Sequence, residues 1–204
     1  MSSQKSTAVA RTPRRQRGLE RVASLLEAAA ACFVEKGYDA TTMTEIAARA
    51  SAAIGSLYQF FPTKERVAQA LIDDYAQALY ARLTKLTKLS STWDADRLGT
   101  GLIRFLVAFR RSHPAFVVLA ESTTVPNEYS VAIRQRLRTE LQALLSQHAP
   151  ALPVAELQAV TVVVQQMMKA AVAINAEPGI TGRKAVLDQL EHALQLYLRT
   201  VLEQ

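Results

Sequence analysis

Residues Thr42 to Lys64 read TMTEIAARASAAIGSLYQFFPTK and predict two short helices joined by a tight turn. Thr44 is the predicted N-cap of the first helix, and Ile46, Ala47 and Ala50 then lie on one face at helical spacing. The second helix is predicted to begin near Ile54 and to end before Pro62, because proline disfavours helix at the residue that precedes it.

The second of these helices is predicted to have one buried side and one open side. Leu57 and Phe61 lie four residues apart and are predicted to face the core. The open side would carry Ile54, Gly55, Ser56, Tyr58 and Gln59. A two-turn helix with small, hydroxyl and amide groups on its open side has the size and chemistry to enter the major groove of DNA.

A longer run, AAAACFVEKGYDATTMTEIAARASAAIGSLYQFFPTKE at residues 28–65, resembles the DNA-binding domain of the TetR-type transcriptional regulators. The resemblance extends from about Arg17 to Ala68. It implies an all-helical homodimer that binds double-stranded, palindromic operator DNA and represses transcription until a small-molecule effector releases it.

The same resemblance implies DNA contacts for nine residues. They are the anchoring Thr42, the groove-facing Met43, Ile54, Gly55 and Ser56, the phosphate-contacting Tyr58 and Lys64, and the flanking Gln59 and Phe60. Ser51 stands where the family usually has glycine, and a left-handed non-glycine residue costs about 1–2 kcal/mol. An isoleucine at position 54 favours apolar readout, such as contact with a thymine methyl group.

Length and charge agree with this interpretation. Half of the 204 residues are hydrophobic, which suits one or two domains with a substantial core. Residues 1–64 carry nine Lys and Arg against five Asp and Glu, whereas residues 65–204 carry fifteen against thirteen. The cationic excess therefore lies in the half that resembles a DNA-binding domain.

Three segments are predicted. A flexible basic arm spans residues 1–17, a helix-turn-helix DNA-binding domain spans 18–64 with its motif at about 42–61, and an effector-binding and dimerisation domain spans 65–204. The arm is either a solvated tail or a segment that lies along DNA phosphates or in a minor groove.

An all-α fold of about nine helices is predicted. Besides the two motif helices, the expected bounds are Gly18–Lys36 with Gly37 as a left-handed cap, Lys64–Leu89, Asp94 or Asp96 to Ser112, Ala115–Ser122, Glu128–His148, Val154–Ala176 and Gly182–Leu202.

Two sets of residues are assigned to the second domain. Aromatic and apolar side chains there are either core or the lining of a cavity for a mostly apolar or aromatic effector: Trp93, Phe105, Phe109, Phe116, Tyr129, Met167 and Met168. The last two helices have wide apolar surfaces, and the resemblance implies that they pair across a two-fold axis in a four-helix bundle. The candidate interface residues are Leu157, Val164, Leu187, Leu190, Leu194, Tyr197 and Leu198, with burial inside one subunit as the alternative.

Enzyme, cofactor and membrane classes receive no support from the sequence. Cys32, the single cysteine, is predicted to be a small buried hydrophobe in a reduced cytoplasm, and three dispersed histidines form no metal motif. No glycine-rich phosphate loop, nucleophile motif or signal peptide is present, and no membrane association is expected. The alternative is a helical small-molecule-binding protein or enzyme that has lost DNA binding. An activator would have the same DNA interface as a repressor.

Overall fold

The computed structural model describes residues 14–122 and 124–202, and all the regular structure in these ranges is helical, as predicted. The helices are α1 (Arg14–Ala40), α2 (Met43–Arg49), α3 (Ile54–Phe60), α4 (Lys64–Ser90), α5 (Ala95–Ser112), α6 (Pro114–Glu121), α7 (Asn127–His148), α8 (Val154–Ala176) and α9 (Arg183–Leu202). Contacts divide the chain into two units, Met1–Ala70 and Leu71–Gln204, so the division falls six residues beyond the predicted boundary.

The predicted N-terminal arm is too long by four residues. Helix α1 begins at Arg14 instead of Gly18, so residues 14–17 are helical. Arginine and glutamine are good helix formers, and the single Gly18 that follows them is tolerated inside a helix at a cost of about 1 kcal/mol. The remainder of the predicted arm, Met1–Pro13, lies outside the described residues.

Near the end of α1, Gly37 interrupts the helical backbone at φ 80° and ψ 164°. The positive φ was predicted, but the ψ angle is extended instead of left-handed helical, in a region that is essentially reserved for glycine. The hydroxyl of Thr41 donates to the carbonyls of Gly37 (2.8 Å) and Cys32 (3.2 Å). The buried Thr41 thus links the segment after Gly37 to the last regular turn of α1.

The predicted N-cap of α2 was wrong: the cap is Thr42, two residues before Thr44. The Thr42 hydroxyl accepts from the Glu45 backbone N–H at 3.3 Å, and the Glu45 carboxylate accepts from the Thr42 backbone N–H at 2.9 Å. This reciprocal capping box has a sequence signature, Thr-x-x-Glu, that the N-cap prediction overlooked.

The α2–α3 turn is a Schellman motif with serine at the position that usually holds glycine. The Ala52 N–H donates to the Ala47 carbonyl at 2.9 Å, and the Ser51 N–H donates to the Ala48 carbonyl at 3.1 Å. Ser51 has φ 49° and is the one non-glycine residue with positive φ among the described residues. Ser51 is therefore left-handed, and the strain predicted for a non-glycine residue at this position is present.

Replacing Ser51 by glycine should stabilise the protein by about 0.5–1 kcal/mol. Relief of a left-handed conformation contributes about 1–2 kcal/mol, and the greater freedom of glycine in the unfolded chain offsets about 0.4–1 kcal/mol of it. Ser91→Gly, in another turn but without positive φ, is the matched control and should not stabilise. Urea unfolding of both variants measures the difference, and equal effects would contradict the strain assignment.

Glu45 joins its cap to an ion pair, because Lys36 of α1 donates to the same carboxylate. The hydrogen bond from Lys36, together with those from Thr42, lowers the pKa of Glu45 from 4.5 to about 2. A depressed carboxyl pKa stabilises the folded state above the unfolded-state value and ceases to do so as the pH falls through the folded-state value.

Wild type should accordingly be more stable than Glu45→Gln at neutral pH, and the difference should disappear between pH 4.5 and about 2. Glutamine retains an oxygen that can accept in the capping box, so the comparison isolates the charge. Thermal unfolding at several pH values measures this difference in stability. Lys36→Met removes the cation of the same ion pair and should lower the stability at neutral pH in the same way. A difference that persists unchanged at pH 2 would refute the ion-pair explanation.

In the second unit, α5 packs against α8 and α9, and α8 also packs against α7 and α9. This packing corrects four of the predicted dimer contacts, which are buried inside the single subunit at 7% exposure or less: Leu157, Val164, Leu194 and Leu198. The other three, Leu187, Leu190 and Tyr197, are partly buried. The wide apolar surface of α9 therefore serves the subunit's own core on one side.

Candidate functional site

The open side of α3 has the composition that the sequence indicated. Leu57 is fully buried and Phe61 is 8% exposed, so these two residues attach the helix to the first unit. Ile54, Tyr58 and Phe60 are 40%, 50% and 40% exposed. Large apolar and aromatic groups on an open helix face indicate a surface that meets a partner.

The nine predicted DNA-contacting residues lie on α2, α3, the residue before α2 and the first residue of α4. Thr42, Ile54, Gly55, Tyr58, Gln59 and Phe60 are exposed, and Met43, Ser56 and Lys64 are partly buried. The structure thus leaves most of them accessible in the free subunit.

Gly55 has no evident role in the fold itself. Its φ is not positive, and a Cβ atom added to it would meet nothing within 4 Å. Glycine within a helix costs up to about 1 kcal/mol relative to alanine. A destabilising glycine on an exposed helix is explained when another molecule must approach its backbone closely.

Lys64 has a structural role that the sequence did not indicate. Its ammonium group donates to the backbone carbonyls of Tyr38 (2.9 Å), Asp39 (3.0 Å) and Thr41 (2.9 Å). It also lies 4.5 Å from the centroid of the Tyr38 ring. All three ammonium donors are used, so the side chain joins the start of α4 to the end of α1 and would have to release a carbonyl in order to donate to a phosphate.

Two further cations of the first unit are engaged in ion pairs between α1 and α2. The guanidinium of Arg49 donates to both carboxylate oxygens of Glu35 at 2.5 Å, and Lys36 pairs with Glu45. The hydrogen bonds from Arg49 lower the pKa of Glu35. These cations fix α2 on α1, and because each pairs with one carboxylate, the net cationic excess counted in the sequence is unchanged.

The second unit contains a cavity of about 260 Å³ that was not identifiable from the sequence. Most of its wall is apolar, and polar side chains from α5, α7 and α8 complete it. The lining residues are Ile72, Leu79, Leu106, Arg110, Phe116, Ala120, Ser130, Ile133, Arg134, Leu137, Gln165 and Lys169.

Only Phe116 of the seven predicted effector residues lines this cavity, and effector contact by the other six stays a prediction. Phe109 and Met168 are fully buried core residues, and Phe105 and Met167 pack against that core. Trp93 packs at Gly101, where an added Cβ would lie 2.5 Å from its ring, and Tyr129 is partly buried outside the lining. Apolar spacing marks buried faces, but it does not distinguish side chains that fill space from those that border it.

Comparison with protein families gives two matches. The family described as "Bacterial regulatory proteins, tetR family" matches residues 25–71, and the one described as "Tetracyclin repressor-like, C-terminal domain" matches residues 96–198. The chain is 45% identical over 58 residues to the HTH-type transcriptional repressor KstR2 of Mycobacterium tuberculosis, which covers 28% of this chain and 29% of that protein. It is 41% identical over 51 residues to the A-factor receptor protein of Streptomyces griseus, which covers 25% of this chain and 18% of that protein. The matched stretch is thus less than a third of the length of these curated relatives.

Solved structures give similarity over nearly the whole chain. A TetR-family transcriptional regulator from Pectobacterium atrosepticum superposes with a TM-score of 0.65 at 26% identity, covering 95% of this chain and 99% of that one. The regulator FadR from Bacillus subtilis, solved in complex with stearoyl-CoA, superposes with a TM-score of 0.68 at 14% identity, covering 84% and 96% of the two chains. The second similarity concerns the fold alone.

Proposed function

The chain belongs to the TetR family of bacterial regulatory proteins, and from this premise we propose that it is a cytoplasmic, homodimeric DNA-binding repressor whose release from a palindromic operator is controlled by a small molecule. In this proposal α3 enters the major groove, and the capped start of α2 lies against the DNA backbone. The proposed function is regulatory instead of enzymatic.

The observation that carries the proposal is the open side of α3. It combines the unfilled position at Gly55 with the exposed side chains of Ile54 and Tyr58. The glycine permits close approach of a base edge, Ile54 offers an apolar contact for a thymine methyl group, and the Tyr58 hydroxyl offers a hydrogen bond to a phosphate. A protein that only carries a small molecule has no need of this surface.

Changing Gly55 to alanine tests this assignment by separating stability from binding. The substitution should raise the free energy of unfolding by about 0.5–1 kcal/mol, because alanine favours helix and meets no neighbour. DNA affinity should fall, by about 1–3 kcal/mol, because the added methyl group occupies the contact zone. Urea unfolding and fluorescence anisotropy with selected DNA give the two quantities. A variant with unchanged DNA affinity would exclude close approach at Gly55.

We place the proposed dimer interface on the open faces of α8 and α9. Helix α8 has an uncharged row outside the subunit core that is apolar except for Gln166: Ala155, Ala159, Val163, Gln166, Ala170 and Ala173. Helix α9 adds Val186 and Leu196, which are 39% and 46% exposed, beside the partly buried Leu190 and Tyr197. Such faces pack well against a second copy in a four-helix arrangement.

The composition of α8 also has a membrane interpretation. Among the described residues it is the one helix long and apolar enough to span a bilayer, and 39% of its apolar window is buried. Packing against α5, α7 and α9 accounts for its buried side. Dimerisation accounts for the rest in the proposed function, without a membrane.

Control by ligand is proposed to act through α4, which contributes residues to both units. Its first residues include the buried Val67 and Ala68, and its later residues include the buried Leu79 and Leu83. A ligand that binds better to a second orientation of this helix shifts the population towards it. Because the coupling is reciprocal, operator DNA must weaken ligand binding by the factor by which ligand weakens DNA binding.

A further inference from the structure

The cavity of the second unit presents positive charge and hydrogen-bond donors. Arg110 on α5, Arg134 on α7 and Lys169 on α8 line it, and none of the described residues that line it is acidic. Arg134 and Lys169 are exposed, whereas Leu79, Leu106 and Phe116 are between 1% and 8% exposed. Arg134 and Lys169 therefore lie towards solvent, and the apolar wall lies deeper.

Gln165 strengthens this donor character. Its amide is only 1% exposed, its oxygen accepts from Arg138 Nε at 3.1 Å, and its nitrogen donates to the Arg134 carbonyl at 3.0 Å. Because arginine can only donate, the amide oxygen must face Arg138. Gln165 can still offer a ligand its second N–H as a donor, and the remaining lone pair of its oxygen lies on the side of the amide that faces Arg138.

Arg110 is positioned by the apolar wall itself. Its guanidinium carbon lies 5.3 Å from the centroid of the Phe116 ring, and both residues line the cavity. Stacking on an aromatic face orients a guanidinium while leaving its edge N–H groups able to donate. The lining of the cavity thus contains cations from three different helices.

We infer that this cavity binds an organic anion whose carboxylate lies near Arg134 and Lys169 and whose apolar body lies against Leu79, Leu106 and Phe116. The volume of about 260 Å³ equals that of about nine water molecules at ~30 Å³ each, so a compact ligand fits. The effector role of this anion rests on the proposed function. The sequence predicts an apolar or aromatic effector, and the cations that line the cavity add a negative charge to that prediction.

Two pairs of probes, each an acid and its neutral amide, test the inference. Octanoate is compared with octanamide and 2-naphthoate with 2-naphthamide, by calorimetric titration of the full chain at neutral pH. At least one acid should bind roughly tenfold more tightly than its amide, because exposed ion pairs contribute a factor of about 1.5–5 each and several act on one carboxylate. The preference should shrink in high salt.

Substitutions identify the cations responsible. The double variant Arg134→Gln, Lys169→Gln should lose most of the preference for the acid while its affinity for the amide stays unchanged. Arg136→Gln is the matched control, because Arg136 lies on α7 but points to Tyr80, 4.4 Å from the ring centroid, and does not line the cavity. Equal binding of acid and amide in both pairs, no saturable binding of either acid, or an undiminished preference in the double variant would overturn the inference.

The same samples are assayed for DNA selection, which distinguishes the two proposals. DNA selection without a preference for acids would leave the regulatory function standing and remove the anionic effector. Acid binding without DNA selection would leave the anion site standing and remove its regulatory role.

Discussion

Leu194→Glu should unfold the second unit and should not simply split a dimer. Leu194 on α9 has no exposed surface and belongs to the core cluster with residues of α5 and α8. A glutamate there would leave a buried carboxylate without a partner and would lose the packing of the leucine, at a combined cost of at least about 4 kcal/mol. That cost is comparable with the total stability of many domains. Circular dichroism should show loss of helix or a strongly lowered unfolding midpoint.

Leu196→Glu, two residues along the same helix, is the matched control. Leu196 is 46% exposed, so the subunit should keep its fold, while the charge would lie in the proposed α8–α9 interface. Light scattering should then show a monomer, and DNA affinity should fall on the order of 100-fold because the second half-site contact is lost. A stable monomer from Leu194→Glu, or a dimer from Leu196→Glu, would contradict the assignment of Leu194 to the subunit core and of Leu196 to the dimer interface.

Lys64→Met should destabilise the first unit by about 2–3 kcal/mol, because hydrogen bonds from a charged donor contribute about 1.5–3 kcal/mol and their loss leaves carbonyl groups unpaired. The three carbonyls concerned, from Tyr38, Asp39 and Thr41, follow the interruption of α1 at Gly37. Urea unfolding measures the loss. Lys85→Met, an exposed lysine on the same helix, should change stability by no more than about 0.5 kcal/mol.

Lys64→Arg refines the test, because a planar guanidinium cannot reproduce three converging ammonium donors and should restore only part of the stability. If Lys64 instead contacts a DNA phosphate, as the family resemblance implies, a different set of results is expected. In that case Lys64→Met would keep its stability, weaken binding to all DNA sequences about equally and lower the salt dependence by about one. This second pattern would refute the structural role.

Much of the fold can be predicted from local features of the sequence. Helix α8 has the predicted bounds, and α3 ends where Pro62 requires. Helical spacing around Leu57 correctly predicts which side of α3 is buried and which side is open. These features depend on residues within one or two helical turns, where spacing and proline stereochemistry are decisive.

Features that depend on distant residues were less predictable. Nothing near Lys64 in the sequence reveals that carbonyls of residues 38, 39 and 41 converge on its ammonium. Leu194 lies on the apolar stripe of α9, and only packing against α5 and α8 shows that this residue is covered by the subunit's own core. The cations of the cavity come from three helices, so their proximity has no counterpart in sequence spacing.

Selection of DNA fragments from a random pool by the purified protein tests the central claim most directly. We expect the sequenced fragments to contain an inverted repeat, with half-sites centred about 34–36 Å apart, or about 10–10.5 base pairs, or a whole multiple of that distance. Such a repeat is the signature of two α3 helices related by a two-fold axis. No enrichment over the starting pool, or enrichment of a single unrepeated half-site, would contradict the proposal that this chain is a dimeric operator-binding regulator.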